Sequence, residues 1–147
     1  QAISVGRMRV VTCASPDYLA RHGMPRTLAD LASHNIVSAG AVAPGHELRF
    51  NHEGKSRVLK MHPRLATTTN ESAVAAAVTG FGLTQQMLYK VAEPLARGEL
   101  RQVLGDFEPP ALPVHVLHRE GRYASRRVRA FLDLAIERLR ALPELQS

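Results

Sequence analysis

Residues Thr67–Gln86 read TTTNESAVAAAVTGFGLTQQ. Thr67-Thr68-Thr69-Asn70 ends a strand and caps a helix, because short polar side chains offer oxygen to the free N–H groups of a first helical turn. From Glu71 to Thr79 the apolar residues Val74, Ala77 and Val78, followed by Phe81, recur at helical spacing and predict a core-facing stripe. Gly80-Phe81-Gly82 then stops the helix, glycine supplying the left-handed residue. Leu83–Leu88 turns into another short element.

Working upstream, Met8–Ala14 is a near-continuous apolar run that suits a strand buried on both faces, whereas Gln1–Arg7 carries no cap or turn logic. Ser15 as N-cap, Pro16 at the first helical position and Gly23 as stop delimit a helix. Thr27-Leu28-Ala29-Asp30 is a capping box that opens a short helix to Ser33. Ile36–Ser38 reads as a strand and Gly40–Gly45 as a loop. Leu48–His52 and Lys55–Thr68 flank a Glu53-Gly54 hairpin turn. In the second arm Leu59, Met61, Leu65 and Thr67 alternate with Lys60, His62 and Arg64, while Pro63 points to an edge or a bulge.

Downstream, Pro94 opens a brief helical turn that stops at Gly98, and Leu100–Leu104 is a strand. Glu108–Pro113 is linker-like, Val114–His118 a strand and Gly121–Ala124 a loop. Ser125 caps a long final helix with Val128, Phe131, Leu132, Ala135, Leu139 and Leu142 on one apolar face; Arg129 and Asp133 pair on the other.

Composition narrows the function classes. The 147 residues fit one domain, and 45% hydrophobic with 22% charged residues is the balance of a folded globular chain. Cys13 is the single cysteine, so an internal disulfide is impossible and a reducing compartment is expected. No apolar stretch approaches the roughly 20 residues of a membrane span, and no signal peptide is evident. The expectation is a soluble cytoplasmic protein with no membrane partner. The net charge of +6 raises nucleic acid as a partner. However, many of the arginines fall between Arg119 and Arg140 among Glu120, Asp133 and Glu137, and read as the solvated side of a helix.

Catalytic and metal motifs are weak. His115 and His118 lie on a strand at a spacing that sends their rings to opposite faces, so no metal site is expected. Cys13, inside an apolar strand, reads as a small buried hydrophobe. Gly80-x-Gly82 is followed by Gln85 where a dinucleotide fingerprint needs a third glycine, and it ends a helix instead of opening one. No nucleophile–base pair is visible, so neither an enzyme nor a cofactor is expected. The Thr67–Asn70 cluster differs: a helix start there presents free N–H groups and a partial positive charge that suit a carboxylate or similar anion. Thr68, Thr69, Asn70 and Ser72 add hydrogen-bonding capacity around it. The plainer alternative is that they only cap the helix.

The order of segments resembles a known family. Arg7–Gly23 (RMRVVTCASPDYLARHG), Pro25–Leu31 (PRTLADL), His34–Val37 (HNIV), Asn70-Glu71 with the helix and Gly80-Phe81-Gly82-Leu83, and Leu95–Leu100 (LARGEL) are similar to the effector-binding domain of LysR-type transcriptional regulators. Pro113–His118 and Val128–Leu134 resemble its return strand and final helix. The resemblance spans about Gly6 to Leu142.

It implies an α/β fold of the type 2 periplasmic-binding-protein kind, a mixed sheet flanked by helices. Residues 7–112 would form the second lobe, and 113–147 the return strand and last helix of an incomplete first lobe. The winged helix-turn-helix and most of the first lobe would precede Gln1. The implied function is ligand sensing: a small anionic effector held between the lobes, with DNA bound only through the missing N-terminal domain. Thr68, Thr69, Asn70, Glu71, Ser72 and Thr84 would be this lobe's contribution to the cleft. Thr84 enters because Thr84-Gln85-Gln86 stand where the family often has apolar residues and a proline. A stand-alone solute-binding protein of related fold is the alternative. The apolar face of the last helix is expected to pack on the second lobe or on another copy, making a homo-oligomer.

Overall fold

β2 (Val10–Ala14) is the middle strand of a three-stranded antiparallel sheet, between β7 (Thr84–Met87) and β8 (Arg101–Val103). Both faces of β2 are covered, which is why its sequence is apolar almost throughout. Val11 and Cys13 face one way, into a cluster with Ala77, Val91 and Leu100. Ala14 belongs to the other cluster, with Tyr18, Leu31, Ile36, Phe50 and Leu83. Burying a side chain the size of Leu or Phe in such a cluster contributes about 1.5–3 kcal/mol.

The computed structural model describes residues 1–39, 46–119 and 124–146. The expected loop at Gly40–Gly45 lies outside the described residues, as does all of the Gly121–Ala124 loop except Ala124. The chain forms two compact units, Val10–Pro110 and Gln1–Arg9 together with Ala111–Ser147.

Within the first unit, α1 (Pro16–His22) starts as its sequence prescribes: Ser15 accepts a hydrogen bond from Tyr18 N–H at 3.0 Å and Pro16 holds the first position. A 3-10 helix, Leu28–Ser33, follows behind the Thr27/Asp30 capping box. β3 (Val37–Ala39) pairs in parallel with β6 (Leu65–Thr67), and a parallel bridge between Ile36 and Leu83 links β3 to the approach of β7. β4 (Glu47–His52) and β5 (Lys55–Lys60) form a hairpin closed by Glu53 and Gly54, both at positive φ, as a two-residue turn of the favoured hand requires. α2 (Asn70–Val78) and α3 (Leu88–Ala96) complete the unit. A mixed sheet flanked by helices is thus observed.

Four readings of the sequence change. The run Met8–Ala14 is divided: β1 (Ala2–Met8) ends and β2 begins on either side of Arg9, and the two strands belong to different units. The arm Lys55–Thr68 is broken at Pro63, and its far end pairs with β3 instead of with the hairpin. Pro94 lies inside α3, close to its C-terminus, and its carbonyl accepts from Glu99 and Leu100. Phe81 is 39% exposed; the helix buries Ala73 and Ala77, because the glycine stop takes Phe81 off the helical register.

In the second unit β1 pairs antiparallel with β9 (Leu112–Leu117), with a bulge between Ser4 and Gly6. α4 (Arg126–Arg140) is capped by Ser125, and Arg140 donates twice to the Ser4 carbonyl, at 2.8 and 3.2 Å. Val5, Met8 and Leu145 are buried there, whereas α4 buries none of its residues. Phe131 is 69% exposed and Val128 and Leu142 are exposed with it, whereas Leu132, Ala135 and Leu139 are half-buried, so the single chain leaves this apolar face only partly covered.

Candidate functional site

The parallel pair β3/β6 ends at Ala39 and Thr67, and α2 begins three residues beyond Thr67. Helix starts at the carboxyl ends of parallel strands gather unpaired backbone donors and a partial positive charge, the usual ligand position of open α/β sheets. Thr69 is the N-cap, accepting from Ser72 N–H at 3.1 Å and donating to Ser72 Oγ at 2.9 Å. Replacing such a cap costs about 1 kcal/mol. Thr67 Oγ1 donates to the Thr69 carbonyl at 2.8 Å and fixes the turn. The N–H of Asn70, the first of the helix, has no partner among the described residues.

Thr68, Thr69, Glu71 and Ser72 are exposed and Asn70 is half-buried, so five of the six expected contact residues share one open turn. Glu71 is not a free anion. Its carboxylate meets Lys90 Nζ of α3 at 2.5 Å, and Lys90 foremost, then Glu71's own backbone N–H, hold its carboxyl below the usual glutamate value. In return Glu71 holds the Lys90 ammonium above its ordinary value. Nothing in the local pattern marks Lys90, because this partner lies on another helix.

Thr84, the sixth residue, is placed differently. It is 1% exposed on β7, and its Oγ1 accepts from Gln86 Nε2 at 2.9 Å. Gln86 is itself 5% exposed. Gln85 copies a backbone pairing: its Oε1 accepts from Arg49 N–H at 2.9 Å while its Nε2 donates to the Arg49 carbonyl at 2.8 Å and to Thr12 Oγ1 at 3.2 Å. The polar triplet Thr84-Gln85-Gln86 therefore satisfies itself and ties the β4–β5 hairpin to the sheet.

The far end of α2 is held tightly. Phe81 N–H reaches the Ala76 carbonyl and Gly80 N–H the Ala77 carbonyl, at 3.1 and 3.0 Å, which together form a Schellman stop. Gly80 sits at φ 91° and its carbonyl accepts from Arg21 at 3.0 Å. At Gly82 a Cβ would stand 2.4 Å from the Asn35 carbonyl oxygen. The glycine pair thus serves a left-handed turn and a close backbone approach, not phosphate binding.

Cys13 is buried, and burial pushes its thiol up to about 12, so it holds no thiolate near neutral pH. Among the described residues no group of three or more His, Cys, Asp or Glu could hold a metal, and no helix is long and apolar enough to cross a membrane.

A mixed sheet flanked by helices, with a helix opening at the carboxyl ends of a parallel strand pair, is an α/β arrangement of the periplasmic-binding-protein-like kind. Residues 1–140 match the LysR substrate binding domain family, and the chain belongs to it. It is 32% identical over 131 residues to the uncharacterized HTH-type transcriptional regulator YhjC of Escherichia coli K12, covering 88% of this chain and 44% of that protein. It is 32% identical over 117 residues to the HTH-type transcriptional activator AaeR of the same organism, covering 79% and 38%. The chain spans less than half the length of these relatives. In fold it is similar to the full-length virulence activator AphB of Vibrio cholerae, with TM-score 0.82 and 24% identity over 94% of this chain and 47% of that one. The regulatory domain of CrgA from Neisseria meningitidis gives TM-score 0.79 and 24% identity over 95% and 68%. At these identities the structures speak to the fold alone.

Proposed function

We propose that this chain is the effector-sensing part of a LysR-type transcriptional regulator, and that it binds a small anionic effector against Thr68, Thr69, Asn70, Glu71 and Ser72. The observation that carries the reading is the open start of α2 at the carboxyl ends of β3 and β6, with an unpaired Asn70 N–H and hydroxyl groups around it. The Glu71–Lys90 pair keeps the rim close to neutral, so an anion meets the helix start without net repulsion. Thr84, buried beneath Gln86, shapes the wall from behind. In this proposal residues 7–112 act as the second lobe and 113–147 belong with a first lobe that supplies the opposing wall. DNA is contacted through a separate N-terminal domain, and the regulator works as a homo-oligomer.

The mechanism is a population shift. An effector that binds one arrangement of lobes and subunits better than another moves the equilibrium by its difference in affinity. One wall alone gives few contacts, so titration of this chain with small carboxylates should shift the amide resonances of Thr68–Ser72 with an affinity no tighter than millimolar. Tight stoichiometric binding of a metabolite to this chain by calorimetry would contradict the half-site reading.

A further inference from the structure

A hollow of about 470 Å³ lies between the 3-10 helix Leu28–Ser33 and strand β5 with the residues just after it. It shares no residue with the Thr68–Ser72 turn and does not depend on the function proposed for that turn. Its size falls within the usual range for small-molecule pockets, about 300–1,000 Å³. Leu31 is a buried member of the main core cluster, and Leu28, Leu59 and Met61 pack against that cluster. These four give the hollow a firm apolar lining.

Its polar equipment is His34, Lys60 and His62. His34 is the built element. The buried Tyr18 hydroxyl accepts from Asn35 N–H at 2.9 Å and stands 2.8 Å from His34 Nδ1. A buried hydroxyl must place its own proton, and His34 Nδ1 is the acceptor within reach. That assigns Nδ1 as an acceptor and puts the imidazole proton on Nε2. Burial foremost, then the neighbouring His22, lowers the His34 pKa, in keeping with a neutral ring. Nε2–H has no hydrogen-bond partner among the described residues, so a fixed ring carries one unused donor at the wall of an apolar hollow. Lys60, on the β5 side, adds a positive charge to the lining. Asp30, which is not part of the lining, has its carboxylate engaged by the N–H groups of Arg26 and Thr27 at 2.8 and 2.9 Å.

We propose that this hollow is a second ligand site, taking small carboxylic acids with a compact apolar body, aromatic or alicyclic. The body fills the space among Leu28, Leu31, Leu59 and Met61, and the carboxylate accepts from His34 Nε2–H and meets the Lys60 ammonium.

Benzoate is a suitable probe. In a two-dimensional amide NMR titration of this chain, benzoate should saturably shift Leu28, Ala32, His34 and Met61. Ala32→Trp fills the hollow from an exposed position and should abolish those shifts while the melting temperature stays unchanged. His34→Asn keeps an acceptor for the Tyr18 hydroxyl but removes the Nε2 donor. It should weaken benzoate roughly three- to tenfold, the worth of one hydrogen bond. If His34→Asn melts early, Lys60→Gln provides the second arm, and it too should weaken benzoate. Shifts confined to Thr68–Ser72, no shifts at all, or unchanged binding by folded Ala32→Trp would each overturn the proposal. The first of these outcomes would leave the sensing role of α2 standing.

Discussion

α2 and α4 begin alike and end up in opposite circumstances. Each is opened by a hydroxyl N-cap, Thr69 on Ser72 N–H and Ser125 on Val128 N–H. The shorter and less amphipathic α2 buries Ala73 and Ala77, is stopped by a Schellman turn against Asn35, and is tied to α3 through Glu71 and Lys90. The longer α4 carries the stronger apolar stripe and buries nothing. Capping and periodicity are local properties, whereas burial depends on what surface the rest of the chain brings within reach. A small alanine face seated among several strands is buried more fully than a larger apolar face that meets chiefly β1.

The largest effect that would test this contrast is at the stop of α2. Gly82→Ala drives a Cβ into the Asn35 carbonyl, where only backbone can give way, and should cost about 3 kcal/mol or more in urea denaturation. A loss below 1 kcal/mol would mean that this end of α2 is looser than its packing indicates. Next come paired changes on the two faces. Ala77→Leu overfills the space around α2 and should cost about 1–3 kcal/mol. Phe131→Ala on α4 should stay within about 0.5 kcal/mol while lowering self-association in sedimentation. Equal costs would erase the contrast. The smallest effect concerns the Glu71–Lys90 tie. Because the folded value of Glu71 is depressed, the tie contributes above the ordinary glutamate range and is lost as pH falls through that depressed value. Lys90 is raised, so its share is present below the ordinary lysine value and lost as pH rises through the raised one. Lys90→Gln should return the Glu71 titration toward its ordinary value by carbon-detected NMR; an unmoved titration would show the tie to be absent in solution.

Legibility in the sequence followed the range of the interaction. The caps Ser15, Thr69 and Ser125, the stop at Gly80 and the Glu53-Gly54 turn could be read because each is settled within a few residues. The buried strand around Val11 and Cys13 announced itself by composition. β1 did not, since its pattern is interrupted at Gly6 and its partner lies at Leu112–Leu117. Nor did the long-range choices that shape both candidate sites: Lys90 for Glu71, Arg49 for Gln85 and His34 for Tyr18. Thr84 read as a candidate ligand contact because a short polar triplet gives no hint that its hydroxyl will be buried and engaged by Gln86. The family order located the α2 turn correctly along the chain, but orientation and exposure came from the packed fold.

The antiparallel pairing of Ala2 with Leu117 has a consequence during synthesis. All of Val10–Pro110 emerges from the ribosome between the two halves of that ladder, so the pairing of β1 with β9 must wait while a contiguous unit can already collapse. A stalled nascent chain ending near Pro110 would therefore hold a finished inner unit while the β9 partner of β1 is still missing. Completion of Leu112–Leu117 is the event that supplies that partner.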